Sequence, residues 1–163
     1  MLSLLLFFCL TGKLHAQQTD LEKLPKTKEE FVASEKDFIA TASWLENNRI
    51  DEQADKRKLA GAWVLAWLTN SPTVTIEIHA ALIKPFEKNP ELLLVYMAGY
   101  GRYCLENNYS TDKLKCNVAA MKAVLHCYGL GGDFKKDKNL TKLADADKEG
   151  KLEEWVREAM EAK

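Results

Sequence analysis

The sequence predicts an all-α fold, an irregular bundle of five to six helices in a single domain. Three observations predict it. Apolar residues recur at helical spacing in successive segments, the joins between these segments are short, and only one segment alternates as a strand does. A lone strand would leave its backbone groups without hydrogen-bond partners, so the alternating segment does not argue for a sheet.

The N-terminus has the pattern of an export signal. Residues 2–10 form an apolar run well short of the roughly 20 residues that span a bilayer as a helix. Polar residues follow, with a small residue at Ala16. We therefore expect residues 1–16 to be a signal peptide, and the mature chain to be periplasmic or extracellular without stable membrane insertion. No Lys or Arg precedes the run, so a buried N-terminal helix of a cytosolic protein is the alternative.

Residues 17–26 are polar and predict a flexible leader before a helical domain at 27–163. The domain opens with a capping box, in which Thr27 accepts a hydrogen bond from a first-turn amide and Glu30 reaches back. Behind it, apolar residues repeat every seven positions, which predicts a helix over about 28–47.

A second helix is predicted from Asp51, and almost nothing between Leu59 and Leu68 is polar, so we expect this helix to be central. Ser71 and Pro72 are typical of the start of a third helix, although the following β-branched residues alternate as in a strand. Because no second strand is available, the helical interpretation is preferred as far as the residue before Pro85.

Three further helical regions follow. The fourth helix begins at Asn89-Pro90 and ends near Glu106, and the fifth ends at Gly129. The last region covers about 140–161, with a weak point at Gly150. A few spacings around Tyr109 resemble helical hairpins of the tetratricopeptide type, but no repeat of about 34 residues is present, so an array of such hairpins is only the alternative.

The fourth and fifth helices bring cysteines together. If their turn is centred near Ser110, antiparallel packing places Cys104 opposite Cys116, with Gly101 near Ala120. Helix axes normally lie about 8–10 Å apart and a disulfide needs Cα atoms nearer about 5.5 Å, so small residues must line this seam.

Export favours oxidation, and we predict a Cys104–Cys116 disulfide with Cys127 buried and free. Cys127 cannot pair with Cys116 while their helix persists, because eleven residues separate them by about 16 Å. The alternative is three reduced, buried cysteines that pack as small hydrophobic residues.

Other residues are weaker candidates for a site. Tyr96, Tyr100 and Tyr103 form a stripe that could line a groove together with three tryptophans, although such stripes more often belong to a core. No spacing typical of a zinc or nucleotide site is present, so we expect no metal and no cofactor. The tryptophans are Trp44, Trp63 and Trp67.

Charge and motifs leave two classes of function. The net charge is −1, and removal of Lys13 with the signal peptide makes it −2, so nothing favours nucleic acid or an anionic membrane as a partner. We expect a non-enzymatic binding or protein-interaction domain. The alternative is an enzyme whose site combines Glu77, His79 or His126 with a tyrosine, since the lack of a motif does not exclude one.

Overall fold

The computed structural model describes Leu21 and residues 23–162, and over this part of the chain it contains eight α-helices, one 3-10 turn and no strand. The predicted all-α class is confirmed, although the helices outnumber the five to six expected. They are α1 (Lys28–Ala33), α2 (Glu35–Asn47), α3 (Ala54–Asn70), α4 (Ala80–Ile83), α5 (Leu92–Glu106), α6 (Lys113–Gly129), α7 (Lys138–Lys148) and α8 (Leu152–Glu161), with the 3-10 turn at Lys84–Phe86.

The region before the helices is partly described. The predicted signal peptide at 1–16 lies outside the described residues, as does the start of the predicted leader. Leu21 packs against the core, and the carbonyl of Lys23 accepts a hydrogen bond from Trp63 Nε1 at 2.9 Å. The described end of the leader is therefore held against α3. No helix of the described residues is long and apolar enough to cross a membrane.

The first predicted helix is divided at Ser34. Thr27 caps α1 as expected, but Glu30 accepts from the amide of Lys26 at 2.7 Å rather than from Thr27 itself. The Ser34 hydroxyl donates to the carbonyl of Phe31 and accepts from Trp67 Nε1 at 2.8 Å. A serine that bonds locally to backbone competes with the helix, which accounts for the break.

The third predicted helix is wrong over residues 72–79. Ser71 does not cap a helix, because its hydroxyl accepts from the amides of Thr73 and Val74 and closes a turn. The chain then runs without regular structure to His79, and only α4 is helical. The β-branched residues here favour an extended backbone, and contact with α2 holds them, since Thr73 donates to Glu35 at 3.0 Å.

The core lies around α5, which packs along α6 and also contacts α2 and α3. Phe38 and Trp67 meet inside it, with ring centroids 4.3 Å apart. The expectation that Gly101 lines the α5–α6 seam is wrong: a Cβ at Gly101 would lie 2.9 Å from Phe38, on the α2 side. Gly99 occupies the seam, where a Cβ would lie 2.6 Å from Ala123 Cβ.

The last helical region is interrupted at its predicted weak point. Gly150 has φ +73°, which ends α7 and allows α8 to start in a new direction. α8 buries Leu152 and Val156 and packs on α6 and α4. The C-terminal pair therefore closes one side of the bundle.

Candidate functional site

Cys104 and Cys116 meet where α5 ends and α6 begins. Their sulfur atoms are 3.4 Å apart, both side chains are buried, and both are free thiols. The predicted register of the two helices is thereby confirmed at this point, whereas the covalent bond remains a prediction. Cys127 is also buried and free, about three turns further along α6, near the carbonyl of Leu45.

Two of these thiols, Cys104 and Cys127, are poor nucleophiles. Burial, more than any neighbour, raises the pKa of Cys104 to about 12 and that of Cys127 to about 11. Both side chains are therefore protonated near neutral pH, and the thiolate is the reactive species. Cys104 and Cys127 are therefore not activated nucleophiles in this reduced state.

The predicted groove aromatics do not line an open groove. Tyr96 and Tyr100 are buried in the core, and Tyr103 is half-buried. The Tyr96 hydroxyl donates to Asn117 Oδ1, and burial raises the pKa of both buried tyrosines well above the usual range. The core interpretation of the stripe is confirmed for these two residues. Trp63 and Trp67 are buried as well, and Trp44 is half-buried beneath Lys56.

The titratable residues of the enzyme alternative lie in two places. Glu77 and His79 are neighbours, with 3.4 Å between Oε1 and Nε2, because their segment is extended. A hydrogen bond from Lys113 holds the pKa of Glu77 below its usual value. His126 contacts Asn47 at 3.0 Å, about 20 Å further along α6 than Lys113. The structure therefore does not bring the two histidines into one site.

An apolar groove runs between α3 and α5, with a volume of about 420 Å³. The charged side chains at its edge include Lys58 on α3 and Glu91 just before α5, both exposed. The residues that line it are Ile50, Arg57, Lys58, Gly61, Ala62, Leu65, Pro90, Glu91, Leu93, Leu94, Val95 and Met97. We call this feature the α3–α5 groove.

The α3 wall of the groove continues as an exposed apolar surface. Leu65 is 48% exposed and Leu59 is 41% exposed, and Ala62 between them is exposed as well. Isolated apolar residues on a surface need no explanation, but a contiguous set beside an apolar depression is typical of an interaction site. The α3–α5 groove is therefore the candidate functional site.

Sequence reasoning missed this site. The run from Leu59 to Leu68 is almost wholly apolar, which predicts a central helix rather than a surface one. The structure buries one face, including Trp67, and leaves the opposite face uncovered. Nothing in the run distinguishes the uncovered face, because Leu59, Ala62 and Leu65 are as apolar as the buried residues between them.

Arg57 forms part of the groove floor and is only 9% exposed. Its Nη2 donates to the carbonyls of Leu45, Asn48 and Arg49 at the end of α2, and burial lowers its pKa. Because the guanidinium is held by these carbonyls, it closes α2 against α3. At the groove, Arg57 therefore holds the α3 wall in place against the end of α2.

A second cavity of about 680 Å³ lies at the start of α7 and is more polar. Asp137 is buried there and caps α7, since its Oδ1 accepts from the amide of Asn139 at 2.7 Å. Its own amide donates to the Tyr128 hydroxyl at 3.0 Å, and Lys88 lies 3.9 Å away. These polar groups are used to hold α7.

Within the part of the chain that the structure describes, no three His, Cys, Asp or Glu side chains converge as metal ligands would. The chain matches no protein-family model, no curated protein and no solved structure.

Proposed function

We propose that this chain is an exported, non-enzymatic interaction domain and that the α3–α5 groove receives apolar side chains of a partner. The observation that carries the proposal is the apolar groove of about 420 Å³ whose wall continues into exposed Leu59 and Leu65. Binding sites are concave and mostly apolar, with a few polar groups that orient the ligand. Lys58 and Glu91 supply such groups at one end.

The shape suits a helical partner. A groove between two helices accepts the apolar face of an amphipathic helix, whose anchors recur about every three to four residues. The enzyme alternative would need titratable groups that converge on the cavity. Arg57 is instead held by the carbonyls of α2, and the two exposed charges lie at the edge, so the groove favours binding over catalysis.

The experiment uses the chain from Gln17 to its end and a synthetic amphipathic helical peptide with leucines on one face. Calorimetry should show saturable binding, and Ala62→Glu should abolish it, because a carboxylate would enter the apolar groove. Ala54→Glu, on the exposed first turn of α3, is the matched control and should bind as the natural chain does. Equal binding by both variants, or binding by neither the natural chain nor the control, would refute the proposal.

Export is the second part of the proposal. The apolar run at 2–10 and the small Ala16 before a polar stretch support it. N-terminal sequencing of the protein recovered from the medium or periplasm should start at Gln17. A product that is retained in the cytosol with Met1 in place would contradict it.

We also infer that Cys104 and Cys116 become a disulfide on export. The sulfur atoms are 3.4 Å apart and need little movement to bond. The thiols pass two electrons and two protons to the disulfide of an exported thiol oxidant, which leaves as a dithiol. Because burial keeps the folded Cys104 thiol protonated, we expect this exchange before the seam closes.

Mass spectrometry of the unreduced exported protein tests the crosslink. Reduction should add about two hydrogen masses and lower the free energy of unfolding by about 3 kcal/mol, the chain-entropy value for a loop of this length. Cys104→Ser should show neither change. An unchanged mass on reduction of the natural chain would remove the crosslink from the proposal.

A further inference from the structure

We propose that the occupant of the α3–α5 groove is a second copy of this chain, in a dimer whose two-fold axis runs along the groove. This inference rests on the proposed function, since it takes the groove to be a binding surface. Three features of the groove support it: the direction of its two helices, the unequal exposure of the side chains on its two walls and the placement of its charges.

The two helices run in the same direction. A Cβ at Gly61 on α3 would lie 2.6 Å from Leu94 of α5, and a Cβ at Gly101 on α5 would lie 2.9 Å from Leu68 of α3. Both contacts join residues 33 positions apart, 61 with 94 and 68 with 101. The helices therefore advance together over two turns, with the groove between them.

The side chains on the two walls of the groove differ in exposure. On the α3 side Ala62 and Leu65 are exposed, whereas on the α5 side Leu94 and Met97 are half-buried. A two-fold axis parallel to the helices places α3 of each copy over α5 of the other. The more exposed wall of one copy then covers the more recessed wall of its partner, and the contact occurs twice, as an isologous interface requires.

The charges fit the same axis. Lys58 and Glu91 lie at the same end of the groove, one on each wall, and neither has an ion-pair partner among the residues described. The axis brings Lys58 opposite Glu91 of the partner subunit, and its symmetry repeats the pair. Opposite charges that meet across an interface fix its register and orientation. A perpendicular two-fold axis would separate them.

The dimer is expected to dissociate on dilution. A stable interface covers about 800 Å² on each partner, and this one is confined to the exposed faces of two helices of about four turns. Mass action therefore makes the dimer fraction depend on protein concentration.

Sedimentation velocity of the chain from Gln17, over a series of protein concentrations, tests the dimer. The natural chain should shift from the mass of one chain to twice that mass. Lys58→Glu and Glu91→Lys should each be monomeric, because each places like charges in contact twice. The double variant should dimerise again, since it exchanges the charges and keeps their complementarity.

A natural chain that stays monomeric, or a double variant that fails to recover, would overturn the dimer. Circular dichroism of each variant checks that it is folded. The peptide experiment separates the two proposals: a monomeric chain that binds the peptide in an Ala62-dependent way refutes only the dimer. A dimer that is indifferent to Ala62→Glu and to both charge reversals refutes the assignment to this groove.

Discussion

Gly99 decides how closely α5 approaches α6. Spacing from an assumed turn at Ser110 predicts the seam to within about two residues, which is enough to pair the cysteines. It does not tell which of two nearby glycines faces which neighbour, because Gly99 and Gly101 lie about 200° apart around a helix of 3.6 residues per turn. Only the positions of α2 and α6 assign Gly101 to Phe38 and Gly99 to the seam.

Gly99→Ala should therefore destabilise the fold. The added methyl group would lie 2.6 Å from Ala123 Cβ, which has no side-chain freedom to retreat, so α5 and α6 must separate. We expect a loss of about 1–3 kcal/mol in urea unfolding. Gly129→Ala is the control, since a Cβ there meets nothing within 4 Å and should stabilise by at most about 1 kcal/mol. Equal stabilities for the two variants would contradict this account of the seam.

Arg57 holds α2 against α3 through its hydrogen bonds to the carbonyls at the end of α2. Arg57→Met leaves the carbonyls of Leu45 and Asn48 without their donor, and we expect a loss of roughly 1–3 kcal/mol in the same unfolding assay. Arg157→Met removes an exposed guanidinium whose ion pair with Glu153 is solvated, and should cost at most about 0.5 kcal/mol. A smaller effect at Arg57 than at Arg157 would show that α2 closes without it.

Local patterns predict a helix end correctly where the deciding contacts lie between neighbours along the chain, which is not the case after Ser71. The sequence alone indicates the cap at Thr27 and the break at Gly150, because both depend on neighbours along the chain. The break at Ser34 combines a local hydrogen bond to the carbonyl of Phe31 with a distant one from Trp67. The extended segment after Ser71 is held by a contact with Glu35. Contacts between residues more than thirty positions apart cannot be read from the periodicity of either segment, so the sequence alone does not assign their conformation.

The N-cap of α6 gives a pH prediction. The Asp112 carboxylate accepts from the amide of Lys115 at 3.1 Å, and this hydrogen bond holds the pKa of Asp112 below its ordinary value of 3.8. A depressed folded pKa means that the stabilisation is fully present above the unfolded pKa and is lost as pH falls through the folded one.

Asp112→Asn retains a capping oxygen but does not titrate. We expect the natural chain to lose more stability than this variant as pH falls from about 5 to about 2, and to match its pH dependence above about pH 5. Urea midpoints for both proteins over this range supply the measurement. Parallel curves throughout would mean that the charge of Asp112 adds nothing to the cap.

The all-α fold class can be predicted from the sequence, whereas the α3–α5 groove cannot. The helical spacing of the apolar residues gives each segment one apolar face. Each face must be buried against other helices, which predicts an all-α bundle. Which helix face remains exposed depends on how many other helices pack around that helix. Here α5 is enclosed by three neighbours, whereas α3 meets α2 on one side and α5 on another, which leaves Leu65 exposed. The exposed face of α3 is therefore determined by how the helices pack, not by the sequence of α3 alone.

The folded unit extends into the segment that precedes α1. Lys23 lies in the segment predicted as a leader, yet its carbonyl accepts from Trp63 Nε1, and Leu21 in the same segment packs against the core. A chain that starts at Thr27 should fold but lose about 1–2 kcal/mol relative to one that starts at Gln17, because an indole donor and an apolar contact lose their partners. Urea unfolding of the two chains measures the difference.

Trp63→Phe separates these two contributions. In that background the indole donor is already gone, so truncation should cost less than it does in the natural sequence, and the difference is the energy that couples Lys23 to Trp63. A truncation cost that is the same in both backgrounds would assign the effect to Leu21 alone. No cost in either background would place the start of the stable unit at α1.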